Sequence, residues 1–464
     1  MTEVEFAPYP DRDLRPGGRW STPDLVEELL KLASLERAVA HIINGLIPKL
    51  AVLDDKIVLS ERLEADMGRA MTLRHHALTL LERDPDALYG SRAWIEPLRQ
   101  VDADPDPLAV LDAITGDVAA FTLDRYRSLA NRLDPLYDAR LLATLDGAVS
   151  ALTDASAPEP CSGKVSEALE LAWADPEAER VGLEATLWAP VDRVPSPARP
   201  TGARPEPGSR GHLRALSRFE HSDMAGELNE NLIAELCAME LLSRSSYEHP
   251  DLPWAFHASL ARHSTDEGRH AAIFRRLLAD IGVHDGDLPQ HGTNYEFAYE
   301  FPECEPGSKR ELLWRLLLMC TVLEALAIDK MLTEIATRDH LGQLDFARAL
   351  DYIFTDELFH AENGLKLTRQ LGERYGFDTM LERELVHGRF FGRQIEVRTQ
   401  YLDADPERAE REKAIMGGPD PDGIQFGSRT EVELRKRASF TDEECEQVTR
   451  WGYNPRSTPS LSTS

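Results

Sequence analysis

Apolar side chains recur every three or four residues over long stretches of this chain, which is the period of a helix with one buried face. The first stretch begins near Thr22 and Pro23, an N-cap followed by a proline in the first turn, and it continues to Leu46. The N-terminal part of the chain shows no strand pattern, and we predict an all-α fold. The first stretch and three further predicted helices form an N-terminal unit, the further helices lying at 57–83, 107–133 and 135–154.

A proline-rich region then interrupts the helical period, and only 164–174 within it is predicted to be helical. Four longer helices follow. Their connections are short, long and short, which is the pattern that two helical hairpins joined by a crossover require. These four helices are predicted at 222–247, 253–281, 308–338 and 343–371.

These changes of pattern divide the 464 residues into five segments. The segments are an extended arm, an N-terminal helical bundle, a Pro-rich linker, a second bundle, and a C-terminal helical extension that ends in a disordered tail. Their predicted bounds are 1–20, 21–156, 157–212, 213–375 and 376–464.

The helices of the second bundle carry acidic and imidazole side chains in a regular order. Two of them contain Asp-Glu-x-x-His, in which the glutamate and the histidine lie on one face. The other two each carry a glutamate inside an apolar stretch. The order Glu, Glu-x-x-His, Glu, Glu-x-x-His is the ligand set of a carboxylate-bridged di-metal site in a four-helix bundle. The six candidate ligands and catalytic residues are Glu240, Glu267, His270, Glu324, Glu357 and His360.

The apolar surroundings of Glu240 and Glu324 argue for a bound cation. An unpaired glutamate is costly to bury, so carboxylates at matching depths on four helices need a shared positive charge. Oxygen ligands combined with imidazole suit Fe(II) or Mn(II). The donor set therefore predicts two divalent ions and leaves Fe, Mn and a mixed Mn/Fe pair open. One histidine per metal leaves open positions for O2 as a co-substrate.

Three neighbouring residues are candidates for supporting roles. Asp266 and Asp356 each precede a ligand glutamate, and we predict that they hydrogen-bond the ligand imidazoles and fix their tautomers. Surface carboxylates are the alternative for both. His263 lies four residues before Glu267 on the same helical face. It is either a seventh metal ligand or a histidine satisfied by its neighbours.

At these residues the chain resembles the ferritin-like diiron carboxylate oxygenases, nearest to the branch related to the tRNA-modifying diiron hydroxylases. The resemblance covers 222–371 and implies a ferritin-like four-helix bundle. It also implies that the six ligands bind two irons, which activate O2 after reduction by an external donor of the ferredoxin or flavin reductase type. The matching motifs lie at 238–241, 266–270, 324–329 and 356–364.

The spacing of His263, Glu267 and His270 is similar to that of the diiron arylamine N-oxygenases. Those enzymes are expected to carry their extra histidine on the fourth helix, where this chain has Ile353. Taken together, the two resemblances imply a non-haem diiron monooxygenase of bacterial secondary metabolism. It would act on a small molecule by C–H hydroxylation or amine N-oxygenation. A ferroxidase or iron-handling protein and a metal-free helical scaffold are the open alternatives.

The N-terminal bundle lacks the spacing for a metal site. A weak internal alignment pairs Glu267 with Leu73 and His360 with Leu152, as in a degenerate ferritin-like repeat. Two unrelated helical units are the alternative. Either way its expected role is structural, either in forming a homodimer or in covering the second bundle.

Charge and composition narrow the partners further. With 52 basic and 81 acidic residues, the net charge of −29 argues against nucleic acid. The N-terminus has no secretory signal pattern, and no apolar run is long enough for a membrane span. The five scattered cysteines are expected to be reduced thiols. We expect a cytoplasmic protein with no membrane partner.

Overall fold

The computed structural model describes most of the two predicted bundles. Nearly all of the described residues are helical, so the prediction of an all-α fold is confirmed at that level. No described helix combines the length and the apolar content needed to cross a membrane. The predicted arm at 1–20, most of the linker, and the tail beyond 453 lie outside the description. The described residues are 22–80, 88–133, 138–155, 163–174, 180–182, 224–288, 298–299, 301–390 and 431–453.

The chain divides into two compact units. The first contains the described residues up to Leu46, those between Arg62 and Val191, and Pro250–Ala258. Its core includes the inner face of α1, on which Leu29 and Ile42 are completely buried. The first helices of the chain are α1 (Thr22–Leu46), α2 (Leu53–Leu80), α3 (Arg92–Asp102), α4 (Pro107–Thr115), α5 (Asp117–Ala130), α6 (Ala139–Ala155) and α7 (Lys164–Trp173).

Two features of the first unit correct the sequence prediction. The helix predicted at 107–133 is two helices, because the chain leaves the helical conformation at Gly116 between α4 and α5. The prediction that no strand is present is wrong: β1 (Leu88–Ser91) pairs antiparallel with β2 (Arg180–Gly182). Strands of four and three residues are too short to reveal an alternation of apolar and polar positions.

The second unit contains Ile47–Glu61, the described residues between Asp192 and His249, and those from Ser259 onward. It therefore includes the first turns of α2 and the predicted C-terminal extension. Its other helices are α8 (Met224–Glu248), α9 (Trp254–Asp280, from Ser259), α10 (Lys309–Leu316), α11 (Glu324–His340), α12 (Leu344–Tyr375), α13 (379–390), α14 (Val432–Arg437) and α15 (Asp442–Tyr453).

A π-helical segment, Leu317–Leu323, joins α10 to α11 in place of the uninterrupted α-helix that the sequence predicts. A wider π turn changes the helical phase, and such turns are frequent at functional sites. The segment ends directly before Glu324. Opposite it, Gly364 lets α12 approach closely, since a Cβ at Gly364 would lie 1.9 Å from Cβ of Cys320.

The C-terminal helices cover the outer side of α11 and α12. Phe440 and Cys445 belong to one buried cluster with Ile328 and Ala361. A buried ion pair adds to this packing, with Nη2 of Arg435 2.5 Å from Oδ2 of Asp329 on α11. This packing supports the two helices whose inner sides carry Glu324 and His360.

Candidate metal centre

Four helices of the second unit direct acidic and imidazole side chains at one place. The donor atoms of His263, Glu267, Glu324 and His360 all lie within 4.8 Å of one another. The same holds for Glu235, Glu267 and His270. Glu357 lies beside both groups, with carboxylate oxygens 3.7 Å from Nδ1 of His270 and 3.8 Å from Nδ1 of His360. We call these seven residues the inner cluster: Glu235, His263, Glu267, His270, Glu324, Glu357 and His360.

The two Asp-Glu-x-x-His motifs bring their residues together as the helical period requires. Nδ1 of His270 lies 3.5 Å from Oε2 of Glu267 on the same helix. Nδ1 of His360 faces Glu357 on its own helix and lies 3.2 Å from Oε1 of Glu267 on α9. Five of the six predicted ligands therefore belong to the inner cluster.

Glu240 is the exception, and the structure corrects this position. Its side chain is completely buried, but Oε1 lies 2.5 Å from Nζ of Lys56, which is also buried. Glu235 supplies the α8 carboxylate of the inner cluster instead. Five residues of α-helix turn the side chain by about 140°, so Glu235 and Glu240 face different neighbours. The cation required by Glu240 is a lysine 184 residues away in the chain.

The aspartates of the two motifs hold the outer nitrogens of the imidazoles. Oδ2 of Asp356 lies 3.1 Å from Nε2 of His270, and Oδ2 of Asp266 lies 3.3 Å from Nε2 of His360. Each aspartate thus bonds the histidine of the opposite helix. When Nε2 carries the hydrogen and donates it to the aspartate, the lone pair of Nδ1 is left facing the inner cluster.

Arg269 links these two pairs and was missed in the sequence. Its Nη2 lies 2.7 Å from Oδ1 of Asp266 and 2.8 Å from Oδ2 of Asp356. Although burial raises the pKa of Asp266, the hydrogen bond with His360 and the charges of His360, Arg262 and Arg269 lower it well below its usual range. Both aspartates are therefore anions that accept hydrogen bonds. The only sequence signal for Arg269 is its place three residues after Asp266.

His263 also belongs to the inner cluster. Its Nε2 lies 2.8 Å from Oε1 of Glu267 and 3.3 Å from Oε1 of Glu324. The ring stacks on that of His360, with 3.7 Å between the ring centroids. Burial raises the pKa of the Cys320 thiol, and a hydrogen bond with His263 acts in the opposite direction.

The carboxylates of the inner cluster are crowded with like charges. Burial, reinforced by neighbouring carboxylates, raises the pKa of Glu267, Glu324 and Glu357 well above the ordinary value. Within the described part of the chain, their ion-pair partners and those of Glu235 are histidines only. Burial lowers the pKa of His270, but the hydrogen bond with Asp356 and the nearby carboxylates of Glu235 and Glu267 outweigh this effect and raise it.

Four buried atoms of the inner cluster have no hydrogen-bond partner among the described residues. An unmet buried donor or acceptor costs about 1–3 kcal/mol, so four at one place require a reason. Carboxylate oxygen and imidazole nitrogen are ligands for divalent transition metals, and these residues fit such ions. The four atoms are Nδ1 of His270, Oε1 of Glu324, Oε2 of Glu357 and Nδ1 of His360.

The inner cluster is least shielded from water at Glu235, whose side chain is 16% exposed, whereas Glu267 is 1% exposed. A cavity of about 530 Å³ is lined by Leu232, Ala272 and Arg275 among others. Ala272 lies two residues after His270, which is about 200° around α9. Ala272 therefore points away from the inner cluster, whereas Leu232 lies three residues before Glu235 on α8.

A family model described as "Protein of unknown function (DUF455)" matches residues 172–416, slightly more than half of the chain. The matched range contains every residue of the inner cluster. No curated protein and no solved structure matches the chain.

Proposed function

We propose that this chain, which belongs to the DUF455 family, is an O2-dependent non-haem diiron monooxygenase with a ferritin-like bundle. One observation carries the proposal. Four carboxylates, three of them buried, and three buried imidazoles converge from four helices, and in the described part of the chain these carboxylates form no ion pair with a lysine or an arginine. Two divalent ions would balance four carboxylates, as in the di-metal sites of four-helix bundles.

The residues divide into two groups around the shared carboxylate of Glu267. Glu235 and His270 would hold one iron, while His263, Glu324 and His360 face the other position. Glu357 lies close to the imidazoles of both groups. When bound, two reduced irons supply the electrons that activate O2 for oxidation of a small molecule.

The protein contributes orientation and shielding to this chemistry. Asp266 and Asp356 keep the Nε2 hydrogens of His360 and His270 away from the inner cluster, so that Nδ1 can act as a ligand. Arg269 fixes both aspartates. Burial of the other side chains excludes water, and Glu235 leaves one edge where O2 or substrate can approach. An external electron donor would return the irons to the reduced state.

Metal analysis of protein produced with iron tests the first step of the proposal. We expect about two iron atoms per chain in the wild type, and large losses in Glu267→Ala and in His360→Ala. The matched control is the double variant Lys56→Met with Glu240→Gln, which removes a buried carboxylate outside the inner cluster and should keep the iron. Iron-free wild-type protein, or equal losses in the control, would contradict the assignment.

Oxygen uptake by the reduced, iron-loaded protein tests the reaction. The proposal expects that some amine or C–H substrate changes the ratio of O2 consumed to iron oxidised. The partly exposed Glu235 at the edge of the inner cluster favours a second candidate, a ferroxidase, because iron ions could enter there. A ratio that stays constant across a broad panel of organic compounds supports that candidate instead.

A further inference from the structure

The two groups of donor atoms in the inner cluster differ in number, type and burial. We infer that the two metal positions are unequal and that His263 is a ligand of the tighter one, formed with Glu267, Glu324 and His360. The inference rests on the proposed function, because it concerns the same metal pair. It assigns a role to a histidine that the six-residue ligand pattern does not contain.

The geometry distinguishes the two positions. Nε2 of His263 and Nδ1 of His360 both face Oε1 of Glu267, at 2.8 and 3.2 Å. Oε1 of Glu324 closes the group at 3.3 Å from His263. This position therefore offers two imidazoles and two carboxylates. The group of Glu235, Glu267 and His270 offers one imidazole.

Burial acts in the same direction. All four residues of the tighter position are at least nine-tenths buried, whereas Glu235 is partly exposed. A metal ion bound beside Glu235 can exchange a carboxylate ligand for water more easily. Because imidazole binds iron and cobalt well, the fully buried position with two imidazoles should hold its ion more strongly.

The structure also holds the His263 ring in place. The ring stacks on that of His360, with 3.7 Å between the ring centroids. A metal ligand is stronger when a second group fixes its orientation. Each of the three imidazoles thus has a partner that fixes its ring: Asp356 for His270, Asp266 for His360, and the stacked ring of His360 for His263.

Cobalt(II) is a suitable probe, because its visible absorption reports coordination without any turnover. Metal-free full-length protein is titrated with Co(II), and the bound metal is measured by elemental analysis after desalting. We expect two steps whose affinities differ by about ten-fold or more, comparable to the effects of changes around metal ligands. Desalting should leave close to one cobalt per chain.

Two variants assign the steps. His263→Leu should weaken the tight step by about ten-fold or more, whereas Glu235→Ala should remove the weak step and keep the tight one. The matched control is His387→Leu, which removes an equally buried histidine outside the inner cluster and should leave both steps unchanged. Circular dichroism verifies the fold of each variant.

Several results would overturn the inference. Two equal steps in the wild type would do so, as would an unchanged tight step in folded His263→Leu. If His263→Leu does not fold, Glu235→Ala decides: retention of the tight step supports the inference and its loss refutes it. Wild-type protein that binds neither cobalt nor iron refutes the proposed function as well, whereas two equally tight ions refute only the inequality.

Discussion

The first unit also contains buried carboxylates, but there they form ion pairs with arginine side chains. Glu36 accepts hydrogen bonds from Nε and Nη2 of Arg69 at 2.8 and 3.0 Å and from the hydroxyl of Tyr126 at 2.7 Å. Asp66 is paired with Arg69 and with Arg62. In the inner cluster of the second unit, the described partners of the carboxylates are imidazoles and other carboxylates.

This difference shows what a buried carboxylate can and cannot indicate. Glu36 and Asp66 are as deeply buried as Glu267, yet their charges are neutralised within the protein. Burial alone therefore does not indicate a metal. The informative observation is several carboxylates together without a lysine or an arginine, since such a group is stable only with protons or added cations.

The largest expected effect concerns the arginine of the first unit. Arg69→Met leaves Glu36 and Asp66 without their shared cation, which should lower the free energy of unfolding by about 3–5 kcal/mol whether or not metal is present. Urea unfolding followed by circular dichroism measures this loss. Arg99→Met, which breaks an exposed ion pair with Glu96, should change it by less than about 1 kcal/mol. A loss that iron reverses would contradict the comparison.

Lys56→Met should have a similar effect in the second unit, because Glu240 would lose its buried ion pair with Lys56. The expected loss is about 3–5 kcal/mol, and adding Glu240→Met should restore most of it by replacing the pair with apolar side chains. Bound iron per chain should not change in the double variant. If the bound iron per chain decreased in proportion to the lost stability, Glu240 would have to be assigned as a metal ligand after all.

Glu324→Gln should stabilise the metal-free protein, the reverse of the effect of Arg69→Met. The raised pKa of Glu324 means that the folded state keeps its proton to a higher pH than the unfolded state. The stability of the wild type therefore falls as the pH rises from the ordinary value through the raised pKa, by about 1.4 kcal/mol per pH unit for this group.

The glutamine variant lacks this loss, so its advantage over the wild type should grow with pH. Thermal unfolding of both metal-free proteins, measured at pH values from about 5 to about 8, gives the difference in stability. Iron should reverse the order, because only the wild type retains the ligand. A constant difference across the range would count against a crowded carboxylate at Glu324.

The smallest expected effect is that of Arg269→Gln. It removes the link between Asp266 and Asp356 without touching a ligand, and changes of this kind lower metal affinity by about ten-fold or more. Titration with Co(II) measures the affinity. Arg276→Gln, an exposed arginine on the same helix, is the control. Equal affinities in the two variants would show that Arg269 does not position the imidazoles.

Local spacing explains why much of the centre could be predicted from the sequence. Glu267 with His270, and Glu357 with His360, meet because residues three apart share one face of a helix. These relations depend on a few neighbouring residues, so the sequence contains them directly. The bonds of Asp266 and Asp356 instead cross between helices and join residues 94 and 86 positions apart, so helical spacing alone does not fix them.

The sequence predictions that were wrong concern contacts between distant parts of the chain. The sequence predicts Glu240 as a ligand because the apolar residues around it offer no cation, but its cation, Lys56, comes from another helix. The pairing of β1 with β2 joins segments about ninety residues apart, so a single stretch could not reveal it. The π-helical segment has only seven residues, which is too short for the spacing of apolar residues to distinguish a π-helix from an α-helix.

The π-helical segment before Glu324 has a consequence for variation in chain length. A π turn accommodates one residue more than an α turn, so Leu317–Leu323 can lose a residue and become α-helical while the flanking helices keep their orientation. Related chains that are one residue shorter at this point could still direct the equivalent glutamate inward. A one-residue gap at this point in an alignment would then indicate an α-helical turn in place of the π turn, with the ligand glutamate retained.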